Sequence, residues 1–317
     1  MKKFFCISLA SMLLISRAFF CEAQSGVVLV SKWGGYGDKP GEFKFPAMIA
    51  TDGEANVYVV DQHNHRVQKF DSAGNFILMW GKYGTSTGEF NYPYGVAVDS
   101  RNNVYVTDMN NNRIQKFSSS GIFLSSAGTY GTGDEQLKYP YGIAVDNKDV
   151  VYVIDAFNHQ IKKFDSNLRY LSKWGSPETI GIKLYMPHEI AVTNSGNVLL
   201  SDRQNHRIAL FTNDGHLIRR FGDFAEGKSA MGGYFSEPHG IAINKNGDIL
   251  ICDRYNFRVQ KFSPDMEYQM QWMTSGIFED SKYFPLGVAC SQNELVYVTD
   301  HYAHAVHFYK LLTKFQR

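Results

Sequence analysis

The chain has 317 residues and a formal net charge of +1, from 32 Lys and Arg against 31 Asp and Glu. That balance excludes the global basic field that draws proteins onto nucleic acid, so no nucleic-acid partner is expected. Aromatic residues make up 15% of the chain, an abundance that suits pleated faces packed between sheets.

Taken in order, the chain opens with what reads as an export signal. Lys2-Lys3 precede an apolar run from Phe4 to Ser16, and Cys21-Glu22-Ala23 places small residues at the −3 and −1 cleavage positions. The run is short and is followed by Arg17, so it does not suit a bilayer span. Residues 1–23 are expected to be a cleaved signal peptide, and residues 24–317 a secreted or extracytoplasmic protein without a membrane span.

From residue 46 onward one unit is written six times. Its clearest copy runs Pro93-Tyr94-Gly95-Val96-Ala97-Val98-Asp99, then Val104-Tyr105-Val106-Thr107-Asp108, then Asn111-Asn112-Arg113-Ile114-Gln115-Lys116-Phe117. The opening prolines are Pro46, Pro93, Pro140, Pro187, Pro238 and Pro285. The closing aspartates are Asp61, Asp108, Asp155, Asp202, Asp253 and Asp300. Both series step by 47 residues except for a single step of 51 between the fourth and fifth units. A fixed period of this size, holding several short strands per unit, predicts an all-β propeller.

Each unit reads as four antiparallel strands. In the second they are Gly95–Val98, Asn103–Thr107, Arg113–Phe117 and Phe123–Ser126, with Gly-containing turns between them throughout the array. The sixth unit stops after its third strand, Ala305–Tyr309, while an unpartnered strand stands at the other end of the chain, Val27–Gly34. Residues 27–34 are therefore expected to complete the last blade, removing two sheet edges and tying both ends into the ring. Cys252 and Cys290 lie in apolar strands of adjacent units and read as buried small hydrophobes.

The motif Asp-x-x-Asn-His-Arg-Val/Ile-x-x-Phe, seen as Asp61…Asn64-His65-Arg66-Val67 and Asp202…Asn205-His206-Arg207-Ile208, resembles the NHL repeat. The resemblance covers residues 27–317 and implies a six-bladed propeller. The third unit carries Gln160 in place of Arg, the fifth Phe257 in place of His, and the sixth Ala303 and Ala305 where Asn and Arg stand elsewhere. A feature present in nearly every unit serves the fold, so the repeated Asp and Arg are expected to satisfy turn amides and each other. The recurring Lys69, Lys116, Lys162-Lys163 and Lys261 are expected to be solvated.

Function should reside in residues that differ between units at one topological position. The residue after each proline is expected to ring one mouth of the central channel: Ala47, Tyr94, Tyr141, His188, His239 and Leu286. Beside them should lie the loops after the aspartates, including Arg203-Gln204, Arg254-Tyr255 and His301-Tyr302. Tyr94, Tyr141, His188 and His239 are the candidate ligand-binding residues, for a protein, peptide or small molecule. His188 and His239 are also the candidate metal ligands, zinc or calcium, although no cofactor is required. The connection from Asp223 to Ser236 holds the four extra residues and should flank this mouth.

Two blades, Pro187-His188-Glu189 with Asp202-Arg203 and Pro238-His239-Gly240 with Asp253-Arg254-Tyr255, also resemble those of peptidyl-hydroxyglycine amidating lyase. That resemblance implies zinc on His188 and His239, substrate held by Arg203 or Arg254, and Tyr255 as base. In that family the ligands alternate between blades, whereas here the two histidines fall in consecutive ones. A third class, the substrate-recognition propellers of NHL-type ubiquitin ligases, would need ligase chemistry from a partner, since the chain has no RING. The expectation is a monomeric secreted binding scaffold rather than an enzyme, with a zinc-dependent lyase or hydrolase as the alternative.

Overall fold

A computed structural model describes residues 26–175, 182–224, 231–273 and 284–312. The expected signal segment lies outside the described residues. The chain forms six separate four-stranded antiparallel sheets. Blade 1 comprises β2 (Pro46–Thr51), β3 (Val57–Asp61), β4 (Arg66–Phe70) and β5 (Phe76–Trp80). Blades 2 to 5 repeat that order, with innermost strands β6 (Pro93–Val98), β10 (Pro140–Val145), β14 (Pro187–Val192) and β18 (Pro238–Ile243). Innermost strands touch from blade to blade all the way round, β22 (Pro285–Cys290) closing onto β2. The protein is a six-bladed β-propeller.

The split blade is as the sequence predicts. Strand β1 (Val27–Gly34) pairs antiparallel with β24 (Ala305–Leu311), outside β23 (Leu295–Asp300) and β22. Trp33 of β1 packs on Phe70, Tyr297 and Phe308, with ring centroids 5.9, 5.9 and 6.5 Å away, so the closing strand is stapled to the neighbouring blade as well. Buried Val, Ile, Leu and aromatic side chains fill the spaces between successive sheets. These strands are apolar on both faces because both faces are covered.

The repeated motif is an internal clamp. Asp61 Oδ2 accepts from Arg66 Nε at 2.7 Å, Asn64 Nδ2 at 2.8 Å and Gln68 Nε2 at 3.1 Å, while Oδ1 accepts the Lys44 amide at 2.7 Å. Arg66 then reaches three carbonyls of the loop entering the blade, those of Asp38, Lys39 and Glu42. One buried carboxylate thus fixes a loop that would otherwise strand its backbone acceptors. The motif's His has its own duty. It sits in a left-handed conformation, φ 54° at His65 and 52° at His206. Its Nδ1 accepts the amide just before the next blade's proline, Tyr92 or Glu237, at 3.1 Å. Asn112 does the same for Tyr139 through Oδ1 at 3.0 Å.

Blade 3 keeps the clamp by exchange. Gln160 stands for Arg, and Lys162, at the position of Gln68, carries the cation instead: Nζ lies 3.1 Å from Asp155 Oδ2, with both side chains fully buried. The lysines expected to be solvated are therefore largely not. Lys69, Lys116 and Lys162 are buried, and Lys116 pairs with Asp99 at 3.3 Å. Burial of a repeat's long cations follows when a carboxylate is supplied between the sheets to receive them.

Candidate functional site

In all six blades the ladder between the first and second strands slips after the proline. Pro46 faces Asp61, but the next pair is Ile49 with Val59, and blades 2 to 6 show the same irregularity. Two residues thus occupy the place of one, a bulge that re-aims side chains. The six residues predicted to ring the channel mouth all fall in these bulges.

The structure brings the four polar members together. Tyr141 stacks on His188 with centroids 4.5 Å apart, and His188 meets His239 at 4.6 Å. The Tyr94 hydroxyl lies 3.0 Å from His188 Nδ1 and 3.5 Å from His239 Nδ1. Arg203 and Arg254, each opening a short 3-10 turn after the blade's aspartate, complete the group. Arg203 Nη1 donates to His188 Nε2 at 3.1 Å, and Arg254 Nη1 to His239 Nε2 at 3.2 Å. A guanidinium only donates, so each Nε2 accepts and the proton of each neutral imidazole sits on Nδ1, facing Tyr94. Burial holds both histidines well below the usual imidazole range, helped by the two arginines and, for His239, first by neighbouring His188.

These residues form a floor rather than a rim. Tyr94 and His188 are 5% exposed and His239 1%. The ring atoms that would bind zinc already accept from guanidinium donors, so a cation on either Nε2 would be set directly against a positive charge. The His188/His239 pair therefore does not suit a metal. No group of three His, Cys, Asp or Glu side chains disposed to hold one occurs among the described residues. Cys252 and Cys290 are free thiols, both pushed up by burial.

Three features of the mouth go beyond the residues singled out from the sequence, although the third includes Tyr255, His301 and Tyr302 of the loops expected there. Glu237, directly before Pro238 and at the end of the lengthened connection, accepts from Arg203 Nε and Nη2 at 2.7 and 2.5 Å. Within that connection, residues 225–230 lie outside the described residues. Glu189, one place after His188, is buried where four blades have Gly95, Gly142, Gly240 and Gly287. At those glycines an added Cβ would stand 2.6 to 3.0 Å from the next blade's backbone oxygens, which explains the residue type.

The third feature is an arc of rings above the floor. The residue before each of the first five prolines is left-handed and not glycine: Phe45, Tyr92, Tyr139, Met186 and Glu237, with φ between 51° and 53°. This conformation is uncommon for bulky residues and must be held by its surroundings. Together with the loop residues they build ring contacts running Tyr255–Phe284–Tyr302–His301–Phe45–His63–Tyr92 at 4.5 to 5.8 Å. Tyr255 and Tyr302 are 43% and 50% exposed. The signal was in the sequence, as aromatics at the pre-proline position of unit after unit.

Comparison with known proteins agrees with this architecture. The family model described as NHL repeat matches residues 90–117, 184–211 and 235–262, which are parts of blades 2, 4 and 5. The protein brain tumor of Drosophila melanogaster is 30% identical over 100 residues, 31% of this chain and 9% of that protein. The B-box type zinc finger protein ncl-1 of Caenorhabditis elegans is 38% identical over 52 residues, 16% of this chain and 6% of that protein. The chain thus spans less than a tenth of either curated relative. A streptogramin B lyase structure superposes with a TM-score of 0.63 at 13% identity, covering 90% of this chain and 98% of that one, which is a likeness of fold.

Proposed function

We propose that this propeller, three of whose blades match the NHL repeat, is a secreted binding scaffold that takes a peptide or protein segment on the face carrying the aromatic arc. The observation that carries this reading is the arc itself: half-buried and exposed rings, with Tyr255, Tyr302 and His63 exposed, continuous across blades 5, 6, 1 and 2 beside the buried polar cluster. Large rings that are held in place contribute contact area at little entropic cost, which is what anchor residues of an interface need. The buried tyrosines and histidines fix the shape of the floor, and the ligand is met by Tyr255, Tyr302, Phe45 and Arg254. Catalysis at this mouth would have to proceed without a metal on His188 and His239.

Selection of a random peptide library against the purified protein tests the proposal. Enriched peptides should bind the wild type and lose about tenfold or more in affinity to a Tyr255→Ser/Tyr302→Ser variant, with the thermal midpoint unchanged. Failure to enrich any peptide, or binding indifferent to these substitutions, would refute it.

A further inference from the structure

Arg203 and Arg254 occupy the same position in consecutive blades, so each serves as a control for the other. Both donate Nη1 to the histidine of their own blade. The remaining edge of Arg203, Nε and Nη2, is taken by the carboxylate of Glu237, the residue before the next blade's proline. One blade on, the pre-proline residue is Phe284, whose ring lies against Tyr255, Tyr302 and Phe257. Among the described residues Arg254 therefore has no carboxylate partner. Its Nε is buried without a hydrogen-bond partner, its Nη2 makes no hydrogen bond, and it forms no ion pair among the described residues. Its guanidinium lies over the Tyr255 ring, 5.1 Å from the centroid.

A buried charged donor left unmet is costly, and folded proteins seldom keep one. The charge balance of the floor sharpens the point. His188 and His239, neutral here and at most cationic, offer Arg254 no counter-charge. Glu237 is committed to Arg203. Glu189 keeps its proton up to about pH 8, because burial raises it.

We propose that the Nε/Nη2 edge of Arg254 is a carboxylate-binding subsite, filled by a ligand in the way Glu237 fills Arg203, with an apolar group of that ligand lying against Tyr255, Phe284 and Tyr302. The planar fork of a guanidinium suits the two oxygens of a carboxylate. The rings beside it suit a carboxylate borne on an aromatic or aliphatic residue, such as a peptide C-terminus or an acidic side chain with apolar neighbours. This subsite rests on the reading of the arc as a binding face and adds the chemistry of what is bound.

Calorimetric titration at low ionic strength tests it with N-acetyl-Phe-Leu, its C-terminal amide, and N-acetyl-Asp N-methylamide. The first and third separate the two sources of carboxylate, and tighter binding of either over the uncharged amide, by about tenfold, supports the subsite. Arg254→Gln should erase that preference. Phe284→Glu, which rebuilds the Arg203–Glu237 arrangement inside the chain, should abolish acid binding while raising the thermal midpoint, so loss of the fold cannot imitate the result. Equal binding of acid and amide, no binding of either acid, or acid binding that survives Phe284→Glu would overturn the proposal. So would acid binding seen only in a Glu279→Gln/Asp280→Asn background, which would make the chain's own carboxylates the partner. Library peptides that need the arc but no carboxylate would leave the scaffold reading standing and refute only the subsite.

Discussion

Glu189 should make the propeller less stable as the solution becomes more alkaline. Its side chain is buried in the channel wall. Oε1 accepts the Ile190 amide at 3.1 Å, and Oε2 has no hydrogen-bond partner. Burial raises its pKa from 4.5 to about 8, against a smaller opposing pull from the amides of Ile190 and Ile143. The folded carboxyl thus keeps its proton up to about pH 8, whereas the unfolded chain releases it near 4.5. Between those values the unfolded state binds fewer protons, so unfolding becomes easier as pH rises. A tenfold change in proton affinity is worth about 1.4 kcal/mol, so the whole climb amounts to about 5 kcal/mol, comparable with the entire stability of many domains. Glu189→Gln keeps the shape of the protonated acid and cannot ionise. Urea unfolding of both proteins from pH 5 to 9, followed by circular dichroism, should show Glu189→Gln gaining on the wild type as pH rises, with the gap levelling off above pH 8. Glu189 also raises the neighbouring Tyr94 and Cys252, but burial is the larger cause for both and holds them above this pH range in the folded state of either protein. Parallel curves would show that the carboxyl titrates normally and that the buried-acid reasoning is wrong.

Two further outcomes follow from the clamps and a third from the closing strand. Lys162→Met should cost about 3–5 kcal/mol by leaving Asp155 buried and unpaired, and Gln160→Arg with Lys162→Gln, which copies the other blades, should recover most of it in the same urea assay. His206→Ala removes the acceptor for the Glu237 amide and should lower stability by about 1–3 kcal/mol. His206→Asn should lose less than half of that, because Asn112 already plays this part in blade 2. Deleting residues 26–34 exposes the β24 edge and removes Trp33 from Phe70, Tyr297 and Phe308. Gel filtration should show self-association, and thermal scans a drop of at least about 10 °C.

The fold could be read in the sequence because it is periodic. Six prolines and six aspartates in constant register leave only one way to stack the strands, and the unpartnered strand at 27–34 had one place to go. Periodicity also hid things. Lys69 and Lys116 read as surface residues because their partners, Asp52 and Asp99, lie outside the motif, in the turn between the first and second strands, although each precedes its lysine by the same spacing. Gln160 was visible in the sequence as a lost arginine, but Lys162 read as one more member of the lysine series rather than as its replacement beside Asp155.

The channel mouth teaches the same lesson in reverse. Tyr94, Tyr141, His188 and His239 stand out in sequence as deviations at one repeat position, and the structure does gather them, yet at 5% exposure or less for three of them they shape the site from beneath. What a ligand would touch lies in two neighbouring places, the residue before each proline and the pair after each aspartate. Neither position is informative alone. Glu237 matters because Arg203 precedes it by one blade, and Phe284 matters because Arg254 does. In a closed array of near-identical units the chemistry is written across the joint between two blades, so a pair at the joint has to be compared with the same pair one blade away.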